Sequence, residues 1–324
     1  GIPQDLVFTS GGTEAIALAI HGVVRQLEGN CTLLVSAIEH EAAAQNAGYS
    51  GAPVQTVYVS SAGQIDLDDL SNRLNSWDHE RHGTPILVLM VANNETGVIQ
   101  PVSEASAMVR EAGGLVICDG VQGLGKISLN VSLLGADYVA LSAHKAGGPQ
   151  GAGALWIRSG APLRASLFGG GQERSLRSGT ENLAGIAGFG AAAEAAVGDL
   201  VEFESLAAYR DAMEARLKSE AGVTVFGEEA PRLANTSNFA LCDFRAETQV
   251  MAMDLAGIAV SSGSACSSGK VKRSLVLSAM GADDALAESA IRTSFGWKST
   301  QQDFELTADA WLKALAQRKA KETA

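Results

Sequence analysis

An α/β fold built on a mostly parallel sheet is what this sequence predicts, and two observations carry that expectation. Short β-branched runs alternate with helical patterns through the first half of the chain, an alternation that gives parallel strands covered by helices on both faces. The second half changes texture: a long Ala-rich helical stretch is followed by two strand-like runs, another helix and a closing amphipathic helix. That half reads as a smaller α+β domain. Length agrees, because 324 residues exceed the size at which a single core keeps growing. The expected division is residues 1–195 as the large domain and 196–324 as the small one.

In chain order, strands are expected at residues 6–9, 32–38, 54–59, 86–92, 115–119, 138–142 and 154–158. Helices are expected at 13–27, where Ile16, Ile20, Val23 and Leu27 share one face, and at 102–112. An Ala-rich helical region runs from about 181 to 221 and is interrupted near Gly198. Strand-like 223–226 and 236–241, a helix from Glu247 and a helix over 303–323 complete the small domain. The run Gln317-Arg318-Lys319 puts cations at the end of that last helix, where they oppose its dipole.

Composition narrows the partners. The formal charge is −12, which repels a phosphate backbone, and the densest cationic cluster before the C-terminus is only Lys270, Lys272 and Arg273. Nucleic acid is therefore excluded as a partner. Cys31, Cys118, Cys242 and Cys266 are far apart with no C-x-x-C pair, so neither a metal framework nor a disulfide scaffold is expected, and a reducing cytoplasm fits. By their neighbours Cys31 and Cys242 look structural, and Cys118 reads as a small buried hydrophobe. No apolar stretch of membrane-spanning length and no signal pattern occur. An aromatic fraction of 5 % beside 36 glycines favours close helix–sheet packing over a bulky aromatic core. The chain begins without Met and enters a strand-like run at once, so a segment upstream is expected.

Several short segments carry chemistry. In Ser10-Gly11-Gly12-Thr13, a strand runs through two glycines into a helix; free helix amides, the dipole and the Thr13 hydroxyl suit a phosphate, although two glycines before a helix also make an ordinary tight turn. In Ile117-Cys118-Asp119-Gly120, a carboxylate ends a buried strand, which is costly unless a cation such as a protonated pyridine nitrogen faces it. Asp119 as a cap for the following turn is the other reading. Gln122 is placed to reach a ring hydroxyl. Ser142-Ala143-His144-Lys145 sets a lysine just past an apolar strand, where a Schiff base would remove the cost of a buried ammonium, and Ser142 and His144 are suited to phosphate. His40, ending the strand at 32–38, could stack on a ring or be an ordinary loop histidine, and Asn94 lies just past another strand. Cys266 sits in the Ser/Gly-rich segment Ser261-Ser262-Gly263-Ser264-Ala265-Cys266, a polar setting that permits thiolate chemistry. Arg292, among small residues in a strand-like run, could hold a carboxylate bidentately or make a surface ion pair.

Together these segments resemble the cysteine desulfurases of the class V aminotransferase group, in the fold type I pyridoxal-phosphate (PLP) superfamily. The likeness runs in order along essentially the whole chain. It adds to the segments above Glu39-His40, Asn93-Asn94-Glu95-Thr96-Gly97, Gly169-Gly170-Gly171-Gln172-Glu173-Arg174 and Arg177-Ser178-Gly179-Thr180, and ends on Ile291-Arg292-Thr293-Ser294.

The resemblance implies PLP as the cofactor and a role for each residue. Lys145 would form the Schiff base and shuttle protons, Asp119 would pair with the pyridine nitrogen, Gln122 with the ring oxygen, and His40 would stack on the ring. Gly12, Thr13, Ser142 and His144 would surround the phosphate, and Thr180 would reach the phosphate of a partner subunit, which implies a homodimer. Asn94 and Arg292 would hold the carboxylate of L-cysteine, and Asn94 would also touch the cofactor. Cys266 would take the sulfur as a persulfide, leaving alanine, and pass it to an iron–sulfur scaffold protein or a tRNA-thiolation relay. The segment around Cys266 resembles the longer, mobile form found within the family. The family's N-terminal strand and helix, with an Asn-Ala-Ala-Thr-Thr-like motif, have no counterpart in this sequence, and Gln150 and Arg273 stand where Lys and Pro are expected. The rival readings are a selenocysteine lyase, a class V aminotransferase returning a keto acid, and a non-catalytic protein that keeps the fold as an assembly surface.

Overall fold

A computed structural model describes residues 3–262 and 273–322. The chain divides into two units. The first comprises the chain up to Tyr58, with Ile65–Asn93 and Gln100–Leu200; the second comprises Val59–Gln64, Asn94–Ile99 and the chain from Val201 onward.

The first unit is built on a seven-stranded sheet. Its strands are β1 (Leu6–Thr9), β2 (Cys31–Ser36), β3 (Val54–Val57), β4 (Thr84–Met90), β5 (Leu115–Asp119), β6 (Tyr138–Ser142) and β7 (Gly153–Ile157), in the order β1-β7-β6-β5-β4-β2-β3. Strands β2 to β6 pair in parallel, as the strand–helix alternation predicts. Strand β7 alone is reversed, pairing antiparallel with both β6 and β1, so β1 again points the same way as β6. Every residue of β2 and nearly every residue of β4 is buried, as expected where helices cover both faces.

The helices of this unit are α1 (Gly12–Gln26), α2 (Glu41–Gly48), α3 (Leu67–Asn75), α4 (His79–His82), α5 (Val102–Glu111), α6 (Val131–Leu134) and α7 (Leu183–Gly198). Helix α1 packs on β6 and β7 and buries Ile16, Ile20 and Val23, with Leu27 half-buried against the same cluster. Three strands match their expected bounds and the others shift by one or two residues at an end. Helix α3 is not among the sequence expectations, although Asp66 caps it through the Asp68 and Asp69 amides and Leu70 and Leu74 are its buried stripe.

In the second unit, β8 (Thr224–Val225), β9 (Thr236–Ala240), β10 (Ser261–Ser262) and β11 (Ala290–Ser294) form an antiparallel sheet in the order β10-β11-β9-β8. Its helices are α8 (Leu200–Ala221), α9 (Ala246–Leu255), α10 (Leu275–Ala279), α11 (Asp284–Ala287) and α12 (Gln301–Glu322). Here the expectation drawn from low aromatic content fails. The few aromatic residues are concentrated, with Trp311 edge-on to Phe239 at 5.5 Å and Phe295 stacked on Phe304 at 3.6 Å between ring centres. The Trp311 Nε1–H donates to buried Gln249 Oε1 at 2.7 Å, so the indole leaves no donor unmet. Beside this core Arg232 forks onto Glu214, both contacts 2.7 Å and both side chains buried. Cys31 and Cys118 are buried as expected, but Cys242 is exposed, so the structural reading of that thiol does not hold. Among the described residues no single helix is long and apolar enough to cross a membrane.

Candidate active site

Six of the seven strands of the first sheet end at one edge, because only β7 is reversed. Ligands in open α/β sheets bind outside such carboxyl ends. Most of the candidate residues of this unit follow them. Strand β1 leads through Ser10 and Gly11 into α1, β2 leads to His40, β5 ends on Asp119, and β6 ends on Ser142, with His144 and Lys145 in the short 3-10 turn Ala143–Ala146.

Glycines set how closely these segments approach. A Cβ on Gly12 would lie 2.6 Å from Val121 Cγ2 and 3.5 Å from the Ser142 Cβ, which puts the start of α1 against the segments after β5 and β6. A Cβ on Gly153 would strike the Gly11 backbone at 2.6 Å, so β7 can pass beneath the loop only with glycine there.

Asp119 is buried, and Val121 N–H donates to its Oδ1 at 3.0 Å. The capping contact of the second sequence reading is present, and the carboxylate has no ion pair among the described residues. Burial pushes its carboxyl above the ordinary range, opposed by the Val121 hydrogen bond and by the charge of His40. His40 caps α2, its Nδ1 accepting from Ala42 N–H at 3.0 Å, which leaves the ring proton on Nε2 in the neutral form. Next to it Glu39 accepts Met90 N–H at 2.8 Å through Oε1, while Oε2 is buried with no partner among the described residues. Met90 lies opposite Asp119 in the sheet register. Burial, then the Asp119 charge, raise the Glu39 carboxyl well above its usual range, opposed by the Met90 hydrogen bond.

Lys145 is exposed, and the burial cost used to single it out does not apply. Two groups suited to an anion, Ser142 and His144, are its near neighbours in the chain. Ser142 Oγ and His144 Nδ1 are 3.0 Å apart, and partial burial, then the Lys145 charge, hold the His144 ring below the usual histidine range. No side chain caps α1, and Thr13 in its first turn is exposed. Gln122 accepts a hydrogen bond from Lys126 Nζ through Oε1. Thr180 is exposed at the end of a segment that Arg177 fastens to Glu14.

In the second unit, Arg292 on β11 donates through Nη1 to the Asn94 carbonyl at 2.7 Å and through Nη2 to Ser261 Oγ at 3.2 Å. Glu95 beside it accepts from Ser274 Oγ at 2.5 Å; burial pushes its carboxyl up to about 7, opposed by Ser274 and by the Arg292 charge. The sequence motifs include Glu14, Glu39, Glu95 and Arg177 but assign them no role. Their contacts join distant segments, which no local pattern reveals. Cys266, the expected sulfur acceptor, lies outside the described residues.

Residues 2–306 match the model of the class V aminotransferase family. The chain belongs to that family. Cysteine desulfurase IscS of Dictyoglomus turgidum is 37 % identical over 312 residues, covering 94 % of this chain and 78 % of the relative. A cysteine desulfurase of Gluconacetobacter diazotrophicus is 39 % identical over 312 residues, covering 94 % and 76 %. The crystal structure of a NifS-like protein from Rickettsia africae superposes with a TM-score of 0.86 at 31 % identity, covering 96 % of this chain and 82 % of that one.

The cofactor of this class V aminotransferase fold is PLP, and the residues present fit it. A buried carboxylate without an ion pair among the described residues, an exposed lysine and a glycine-crowded helix start that no side chain caps lie at one sheet edge. Asp119, Lys145 and the Gly12–Thr13 turn have the chemistry that a counter-ion, an amine and a phosphate cradle for such a group would need.

Proposed function

We propose that this class V chain is a cysteine desulfurase, converting L-cysteine to L-alanine and placing the sulfur on Cys266 as a persulfide. Support comes from the convergence of Lys145, Asp119, His40, Ser142 and Thr13 at the carboxyl edge of the sheet, together with relatives named cysteine desulfurase. When bound, PLP supplies an aldehyde that condenses with amines and a cationic ring that draws electrons from the substrate α-carbon. Lys145 would hold that aldehyde, and its free amine would take and return the substrate α-proton. Asp119 would keep the ring nitrogen protonated, Gln122 and Asn94 would serve the ring oxygen, and His40 would cover the ring face. Gly12, Thr13, Ser142 and His144 would hold the phosphate, with Thr180 reaching that of a second copy, so the active form would be a homodimer. Arg292 and Asn94 orient the substrate carboxylate. The Cys266 thiolate attacks the substrate sulfur; the S–S bond forms as the C–S bond breaks, and its electron pair stays with the carbon fragment, which protonation turns into alanine. The persulfide then goes to a sulfur-accepting protein such as an iron–sulfur scaffold, or to a tRNA-thiolation relay, in the cytoplasm.

An absorbance spectrum with PLP and an alanine and sulfide assay on L-cysteine test this reading. The wild-type chain should show a lysine-linked cofactor band and release alanine. Lys145→Ala should lose the borohydride-reducible link, and Cys266→Ala should lose turnover while keeping the band. Keto-acid formation would identify a transaminase, turnover of selenocysteine alone a lyase, and absence of any cofactor band a non-catalytic scaffold.

A further inference from the structure

Strand β1 is the last strand of its sheet, so one side of it has no strand neighbour. Side chains from residues 173–174 take that place. Phe8 N–H donates to Glu173 Oε2 at 3.0 Å, and Arg174 Nη2 donates to the Leu6 carbonyl at 2.7 Å. Glu173, Arg174 and Ser175 there adopt φ values of 47°, 57° and 64°. Successive left-handed non-glycine residues persist only where surrounding contacts over-determine them.

Just beyond, Arg177 is held twice. Its backbone bridges to Leu167, and its guanidinium forks onto Glu14, with Nε to Oε1 at 2.7 Å and Nη2 to Oε2 at 3.2 Å. The same Oε2 accepts Ser10 N–H at 2.7 Å. Burial, the largest single influence, would raise the Glu14 carboxyl, but the hydrogen bonds from Arg177 and Ser10 outweigh it and hold the group below its usual range. One ionised side chain thus grips the first residue of the glycine loop and the arginine three residues before Thr180. A planar fork of this kind fixes direction as well as distance.

We propose that Glu14 is a positioning residue that ties the Ser10–Thr13 loop, which serves the phosphate of its own site, to the segment carrying Thr180, which reaches the phosphate of a second copy, so that in the homodimer loop and Thr180 are placed as one coupled unit. This rests on the assignment of loop and Thr180 to the cofactor phosphate made above. The ligand class it discriminates is the phosphorylated aldehyde against the same aldehyde without phosphate.

The experiment measures the dissociation constants of PLP and of pyridoxal for the full chain, by absorbance, in the wild type and in Glu14→Gln, Arg177→Lys, Thr13→Ala and Thr180→Ala. Glu14→Gln and Arg177→Lys should each weaken PLP by about tenfold, as loss of a charge-assisted bond does, and pyridoxal by less than about twofold. Combined with Glu14→Gln, the Thr180→Ala penalty should fall below about twofold, because Thr180 is already misplaced. Additive penalties, or wild-type PLP binding in both Glu14→Gln and Arg177→Lys, overturn the proposal. So does a parallel loss of PLP and pyridoxal in both variants, which shows only a damaged fold. The phosphate assignment itself fails separately: Thr13→Ala and Thr180→Ala would then leave the preference for PLP over pyridoxal intact.

Discussion

Replacing Asp119 by Asn should stabilise the cofactor-free chain and weaken the cofactor-bound one. In the folded chain this carboxyl is buried, accepts one backbone hydrogen bond and faces no paired cation among the described residues. Burial raises it above the ordinary range, so the folded chain holds its proton more tightly than the unfolded chain does. Ionisation therefore costs folding energy from the unfolded value of about 3.9 upward, and the cost grows with pH until the folded group also ionises. Asn keeps the Oδ1 that accepts from Val121 and removes the charge. A buried polar group left unsatisfied costs about 1–3 kcal/mol, which sets the gain expected for Asp119→Asn near pH 8. Each kcal/mol raises the midpoint of a unit this size by about 2–4 °C. Removing the Asp119 charge also relieves neighbouring Glu39, whose carboxyl that charge raises, and this acts in the same direction. With PLP present the order should reverse, and PLP affinity should fall by at least about tenfold, since a bond to a charged group is lost. Thermal unfolding from pH 4 to 8, with and without PLP, reads all of this. A cofactor-free variant that melts below wild type at pH 8, or a gap that does not change with pH, would refute the reasoning.

Three further outcomes are expected. Glu95, raised to about 7, makes the second unit lose stability as pH climbs from about 4.3 to 7, and Glu95→Gln should flatten that part of the melting profile. Arg232→Ala leaves Glu214 buried without its partner and should cost about 3–5 kcal/mol in urea unfolding, whereas Arg232→Met with Glu214→Leu should come close to wild type. Arg292→Lys keeps the charge but loses the fork, so KM for L-cysteine should rise by about tenfold, with a smaller change in kcat measured by alanine release.

The strand ends were legible because a β-branched run followed by Gly, Asp or Ser-x-His-Lys marks where a buried strand gives way to chemistry, as at Thr9, Asp119 and Ser142. The direction of β7 was not, since an apolar run reads the same in either orientation and only pairing with both β1 and β6 decides it. Helix α3 was passed over because its apolar stripe is narrow, although the Asp66 cap was visible. Lys145 is exposed, so the cost of a buried ammonium, which points to it in the sequence, is not what marks it in the fold. Glu14 and Arg177 lie 163 positions apart, and a contact of that separation leaves no trace in local periodicity.

The reversed strand has a consequence for how this protein is made. Both neighbours of β1 in space, β7 and the residue 173–174 clasp, are encoded some 150 positions downstream of it. During synthesis, which adds residues at about 5–20 per second, β1 must wait for them. The parallel strands β2 to β5 can begin to pair while β1 remains unplaced. Non-local closure of this kind is slow, because the loop entropy is lost before any contact rewards it. The glycine loop therefore takes shape only after nearly the whole first unit has been translated, and capture of the phosphate belongs to the last stage of maturation.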